Sequence, residues 1–265
     1  MSTNVPVVEA GSRKRTRRFV QILDLVNERG EATLAELAET LGISPATARR
    51  DLADLADQRL VQRTHGGVVA LDQGSELPVE LRDTKFQEAK QAIARAVAQR
   101  IPHERHAVAL SGGTTTARVA VELTRHPLLT IVTNSLTIAE LTHAHPALRV
   151  VVTGGSLRPQ SLELVGTLAE RTFGALHVGT AILGADGIAA SAGVTTYDEI
   201  EARTNRAMVA SAERTIVVAD GSKVGRLTLA QMVSLDEVDT LVTDASADPD
   251  ELERIRAAGV EVVVA

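Results

Sequence analysis

The stretch Ser44 to Leu52 reads S-P-A-T-A-R-R-D-L, and R-T-H-G-G follows at Arg63. These two segments constrain the first seventy or so residues more than anything else in the chain. Ser44 is placed to cap a helix, and Pro45 falls in its first turn, where a missing N–H costs nothing. Ala48, Leu52 and Leu55 then share one side and must pack inward. Ala46 and Arg50 are left facing out, with Thr47 and Arg49 on the flanks. Beyond the helix, Leu60, Val61 and Arg63 lead to a tight His65-Gly66-Gly67 turn and then to Val68, Val69 and Leu71, a hairpin pattern.

Two more helices precede this one. Phe19, Ile22, Leu23 and Val26 form an apolar stripe that ends at Gly30. Thr33 and Glu36 make a capping-box pattern ahead of Leu34, Leu37, Ala38 and Leu41, and Gly42 stops that helix. Helix, turn, helix and hairpin add up to a winged helix-turn-helix over residues 15–71. Its outward side chains suit a major groove: arginine bonds guanine bidentately, threonine reaches a base edge or a phosphate, and an alanine methyl touches thymine. The expected contacts are therefore Ser44, Ala46, Thr47, Arg49 and Arg50 on the helix. Arg15, Arg17, Arg18, Arg63 and His65 are expected on phosphates.

A formal charge of -6 argues against nucleic acid until it is divided by segment. Residues 1–75 carry 10 Lys and Arg against 10 Asp and Glu, so all the excess acidity lies in the remainder. Within the neutral segment the basic residues cluster at Arg13 to Arg18, at Arg49 and Arg50, and at Arg59 and Arg63, which gives local positive patches. There are only three Phe, one Tyr and no Trp, too little for base-stacking recognition of single strands, so duplex DNA is the expected target. No apolar run approaches the about eighteen residues a span needs, and no secretory signal is evident, which points to the cytoplasm and away from a membrane. The absence of cysteine removes disulfides, thiol nucleophiles and Cys-based zinc sites.

Residues 72–83, with Gly74, Ser75 and Pro78 among charges, read as a linker. Residues 84–265 alternate helical and strand-like segments, the pattern of an α/β sheet. Strands are expected at Ala107–Leu110, Leu129–Thr133, Arg149–Thr153, Thr180–Leu183, Thr215–Ala219, Thr240–Val242 and Val260–Val264. Helices are expected over Gln87–Arg100, from about Thr115, and over Leu136–His143, Val165–Phe173, Glu199–Ala212 and Pro249–Ala257. Ligands in such sheets sit at the C-terminal strand ends.

Three loops at those ends share a character. Ser111-Gly112-Gly113-Thr114-Thr115-Thr116 opens a helix and can cradle a phosphate with backbone N–H groups and hydroxyls. Thr133-Asn134-Ser135 and Thr153-Gly154-Gly155-Ser156 end the next two strands, and Lys223 can add a positive charge. Any one of these is an ordinary strand-to-helix turn; several in succession point to an anionic, polyhydroxylated ligand. The seven histidines are scattered, and His143-x-His145 lacks the spacing for a shared metal, so no metal, cofactor or catalytic residue is assigned.

With those motifs in order, the chain resembles the DeoR/GlpR family of bacterial transcription regulators from about Arg18 to Val264. The likeness rests on Ser44, Thr47, Arg49, Arg50, Asp51, Leu52, Arg63, His65, Gly66 and Gly67. In the second part it rests on Gly113-Thr114-Thr115-Thr116, Thr133-Asn134-Ser135, Gly154-Gly155, Gly166, Gly184-x-Asp186-Gly187, Gly193-x-Thr195-Thr196 and Asp220-x-Ser222-Lys223. The resemblance implies a repressor of a sugar-catabolic operon, joined to a sensor whose fold is similar to ribose-5-phosphate isomerase (Rossmann-like). Its implied partners are double-stranded operator DNA, a phosphorylated sugar or related effector, and further copies of itself in a dimer or tetramer. Ser111 stands where the family often has Asp, and Asn205 where it often has Lys.

An isomerase is the rival reading. Aldose–ketose isomerisation needs a carboxylate base and help for the enediolate. Those enzymes carry D-G-A-D-E where this chain has Leu183-Gly184-Ala185-Asp186-Gly187, so two of three carboxylates are missing and Asp186 is expected to accept hydrogen bonds from sugar hydroxyls.

Overall fold

The structure, a computed structural model, describes residues 13–58, 60–70, 76–126 and 128–265. They fall into two compact units that divide between Lys85 and Phe86.

In the head, three helices surround a small sheet: α1 (Arg13–Arg29), β1 (Glu31–Thr33), α2 (Leu34–Leu41), α3 (Pro45–Asp57), β2 (Val61–Arg63) and β3 (Gly67–Ala70). Thr33 caps α2 as expected: its hydroxyl accepts the Glu36 N–H, and the Glu36 carboxylate accepts the Thr33 N–H at 2.8 Å. Ser44 caps α3 by accepting the Thr47 N–H at 3.1 Å. The apolar stripes of α1, α2 and α3 meet in one core of Phe19, Ile22, Leu23, Val26, Leu37, Leu52 and Leu55. A short strand that periodicity did not show, β1, pairs antiparallel with β3, which also pairs with β2. Only glycine fits at position 67, because a Cβ there would overlap the Ala32 carbonyl of β1. Leu71, expected in the wing, and residues 72–75 of the expected linker lie outside the described residues.

The rest of that expected linker is not a plain tether. Val79–Arg82 form α4, and Leu81 is buried in the head core. Lys85 reaches Asp24 of α1. Val79 and Leu81 are both buried, and burying them outweighs the polar composition around them.

The body is a seven-stranded parallel sheet in the order β15-β14-β12-β9-β4-β5-β6. Its strands are β4 (His106–Leu110), β5 (Leu129–Thr133), β6 (Arg149–Val152), β9 (Thr180–Gly184), β12 (Thr215–Val218), β14 (Thr240–Thr243) and β15 (Glu261–Val264). Alternation along the strands builds two cores. Val108, Leu110, Ile131, Ile182 and Ile216 pack with Ile93 and Val97 of α5 (Gln87–Ala98) and Val119 and Leu123 of α6 (Thr114–Leu123). Ala109, Val132, Leu183 and Val217 point the other way, onto Phe173 of α8 (Thr167–Gly174), Met208 of α9 (Glu199–Ala210) and Ile255 of α10 (Pro249–Ala257). Helix α7 (Leu136–Thr142) precedes β6.

Two smaller pieces escaped the sequence reading. One is the hairpin of β7 (Ser156–Arg158) and β8 (Glu163–Val165). The other is an antiparallel sheet of β10 (Gly187–Ala189), β11 (Gly193–Thr196) and β13 (Ala230–Val233). Val165, expected to begin a helix, ends β8 instead, and α8 starts after Gly166.

Candidate DNA-binding surface and effector pocket

Helix α3 buries Ala48, Leu52 and Leu55 and exposes Ala46, Arg49 and Arg50; Thr47 is half-buried, its hydroxyl 2.9 Å from that of Ser44. Arg63 ends β2 and His65 lies in the turn before β3, both exposed. Arg17, Arg49, Arg50, Arg63 and His65 engage no side chain among the described residues and keep their donors for an outside acceptor.

Arg15 and Arg18 are placed differently from the phosphate contacts expected of them. Arg18 grips Asp51 with two nitrogens, one of them Nη2 at 3.0 Å from Oδ1, and Asp51 is only 2% exposed. This bond and the charge of Asp51 raise the Arg18 pKa against burial, which lowers it. Arg15 pairs with Asp54, lies 3.8 Å from Asp51 and stacks its guanidinium over Phe19. Both arginines thus tie α1 to α3 and set the angle of the exposed helix. Sequence spacing gave no hint of this, because Asp51 reads as one more polar residue on an amphipathic helix.

In the body, the order of strands reverses between β4 and β9. From β4 the chain runs outward through β5 and β6, then returns to β9 and runs the other way. The carboxyl ends of β4 and β9 therefore border the crevice where open α/β sheets take ligands. Ser111 follows β4 and Asp186 follows β9, and the two edges are joined where the Gly184 N–H donates to the Ser111 hydroxyl at 3.0 Å.

Many of the expected pocket residues are committed to the fold. Thr133 donates to the Leu110 carbonyl at 2.8 Å, Ser135 caps α7 through the Ile138 N–H, and Thr116 donates to the carbonyls of Gly112 and Gly113. Thr115 is buried. A Cβ at Gly155 would press on the backbone of Leu164 and Val165, so Gly155 serves the approach of β8; Gly154 beside it is exposed. Lys223 sits half-buried in a single turn after β12, two strands from β4. Gly113 and Thr114 remain partly open at the start of α6, and Asn134 is the clearest candidate: fully buried, with neither Oδ1 nor Nδ2 bonded among the described residues. Thr153 Oγ1 and Ser161 Oγ are likewise buried without a described partner. Orphaned polar atoms of this kind cost stability unless a bound partner satisfies them.

Asp186 is not alone. The Thr196 hydroxyl lies 3.0 Å from Asp186 Oδ2 and 2.8 Å from Glu201 Oε1, and Arg158 pairs with Glu201 at 3.1 Å. Burial, with Glu163 and Asp186 nearby, pushes Glu201 well above the usual carboxylate range against the lowering by Arg158 and Thr196. The single Thr196 hydroxyl thus bridges the two carboxyls, donating toward both Asp186 and Glu201. Glu163, 2% exposed, accepts the Gly112 N–H at 2.7 Å. Glu163 and Glu201 thus add two carboxyls to the one, Asp186, that the Leu183–Gly187 loop supplies. Neither belongs to a motif there; only the folded hairpin and α9 bring them in.

A winged helix-turn-helix head joined to an α/β body with polar loops at its carboxyl strand ends defines a DNA-binding regulator carrying a sensor domain. Residues 18–74 match the DeoR-like helix-turn-helix domain and residues 85–245 the DeoR C terminal sensor domain. The chain belongs to the DeoR family of transcriptional regulators. It is similar to the HTH-type transcriptional regulator GlpR of Haloferax volcanii, 36% identical with 94% of this chain and 96% of that protein covered. It is also similar to the glycerol-3-phosphate regulon repressor of Escherichia coli K12, 34% identical over 88% and 92% of the two chains. Among solved structures, ribose 5-phosphate isomerase A from Neisseria gonorrhoeae is similar over 56% of each chain at 16% identity and a TM-score of 0.38, too distant to argue from. The curated relatives are regulators, and the isomerase reading finds no support among them. Among the described residues no helix is long and apolar enough to cross a membrane.

Proposed function

We propose that this protein represses a carbohydrate-catabolic operon in the cytoplasm and leaves its operator when a phosphorylated sugar or related metabolite binds the body. The observation that carries this reading is the reversal of strand order between β4 and β9, with a glycine-threonine loop opening a helix after β4, the buried, unpartnered Asn134 after β5, and Asp186, linked through Thr196 to Glu201, after β9. An anionic group suits the first edge and sugar hydroxyls suit the second. Gly113, Thr114 and Asn134 would bind the effector directly, and Lys223 would add charge. In the head, Thr47, Arg49 and Arg50 would read bases in duplex DNA, while Arg17, Arg63 and His65 would hold phosphates. Paired half-sites call for a homo-oligomer, a dimer or tetramer.

The effector must bind more tightly to the arrangement that does not fit the operator, with coupling of about 1 to 3 kcal/mol. A gel-shift titration of DNA from upstream of its own gene, with and without a panel of sugar phosphates, tests the reading. A shifted band released by one of them is expected. Binding to no promoter fragment, or conversion of a sugar phosphate without DNA, would overturn it.

A further inference from the structure

The loop that the effector's anionic group would use is not vacant of negative charge. Glu163 Oε1 accepts the Gly112 N–H at 2.7 Å, and a Cβ on Gly112 would overlap the Glu163 side chain from Cγ to Oε1. A carboxylate therefore lies against the backbone that opens α6, where helix geometry leaves N–H groups pointing outward and favours a negative charge. Its placement is built. Leu162, just before it, takes a left-handed φ of 54°, unusual for a leucine and a local strain. The Leu162 carbonyl accepts the Leu136 N–H, and the Leu164 N–H donates to the Asn134 carbonyl, so the hairpin is stitched to the loop that carries the unpartnered Asn134 side chain.

We propose that Glu163 is a built-in competitor for the effector's anionic group: it holds the Gly112 N–H when the crevice is empty, the effector binds by displacing it, and the β7–β8 hairpin that carries it is the part the effector moves. The idea rests on reading the 111–116 loop as the anion subsite. Two charges cannot share one small N–H cradle without strong repulsion. The displaced carboxylate also leaves a crowded place. Asp186 and Glu201 lie near enough for the charge of Glu163 to disfavour ionisation of Glu201. Glu163 thus fixes how tightly the site takes an anion, and its departure links binding to a backbone element.

The test is calorimetric binding of inorganic phosphate and of a sugar-phosphate panel to the full-length protein and to Glu163→Gln. The glutamine keeps the shape and an oxygen for Gly112 but removes the charge. Binding at least about tenfold tighter in Glu163→Gln is expected. Binding by the wild type that is unchanged or weaker in Glu163→Gln overturns the competitor role and leaves the effector site standing. No binding by either folded protein overturns both. Hydrogen exchange of the 156–165 segment in the wild type gives an independent measure that needs no variant. Faster exchange with the sugar phosphate bound is expected, and slowed or unaltered exchange overturns the proposed displacement.

Discussion

Asp51 in the head and Glu201 in the body are both buried carboxylates, yet their surroundings are opposite. Asp51 is clasped by Arg18 with Arg15 close by, and its charge is matched within the fold. Glu201 has Arg158 on one side but Asp186 and Glu163 on the other, and it is driven toward its neutral form. The contrast extends to neutral groups: Asn134, Thr153 and Ser161 are buried in the body with unbonded polar atoms, while Arg17, Arg49, Arg50 and Arg63, the proposed DNA contacts, stand exposed on the head. A surface made for a large external partner can be settled internally and keep its reactive groups in water. A pocket made for a small enclosed ligand must leave internal bonds unmade.

The largest effect should come from unsettling the head. Arg18→Ala strands the buried charge of Asp51 and should cost about 3 kcal/mol of head stability, read from urea unfolding. Replacing Asp51 by Leu in the same chain should recover much of it. A loss under about 0.5 kcal/mol would show that Arg18 is free for phosphate after all and break the contrast.

Next, the exposed arginines should divide by role. Arg50→Ala should weaken operator binding by about 1 to 3 kcal/mol and relax preference at one base position. Arg17→Ala should weaken all duplexes alike and reduce the salt slope by about one. A uniform loss for Arg50→Ala would make it another phosphate contact.

The body can be probed by pH. The folded pKa of Glu201 is raised, so between its ordinary and its raised value the folded protein holds more protons than the unfolded chain. That contribution to stability is complete at low pH and is lost as pH climbs through the folded pKa, with a slope of at most about 1.4 kcal/mol per pH unit. Denaturant midpoints measured from about pH 4.5 to about pH 8 should therefore fall more steeply for wild type than for Glu201→Gln. Parallel curves would mean that Glu201 stays ionised in the fold and that its charge is matched there.

How much of this was legible beforehand follows the same division. The helices of the head announce themselves through caps and stripes that are local in sequence, such as Ser44-Pro45 and the Thr33 to Glu36 pair. The seven parallel strands show as short apolar runs. What stayed hidden depends on contacts distant along the chain: β1 against β3, Leu81 in the head core, Arg18 on Asp51, and Glu163 on Gly112, fifty-one positions away. The glycine-threonine loop was visible as a candidate site, but its occupant was not. A buried glutamate in L-E-L-V looks like any polar residue in a hairpin until the fold turns it inward.

The smallest predicted effect bears on that local layer. Thr33→Ala removes the hydroxyl that accepts the Glu36 N–H and breaks a box in which Glu36 also accepts from Thr33. Bonds from the Thr33 backbone and then its hydroxyl hold Glu36 below the ordinary carboxylate range. The cost should be about 1 kcal/mol in the head, with most of it recovered by Thr33→Ser. Because the cap is exposed and satisfied by its own neighbours, operator preference and phosphate affinity should not move. Were Thr33→Ala to alter effector binding, stability in the head could not be treated as a local account, and the separation between a settled head and an unsettled body would need to be redrawn around whatever carries that effect.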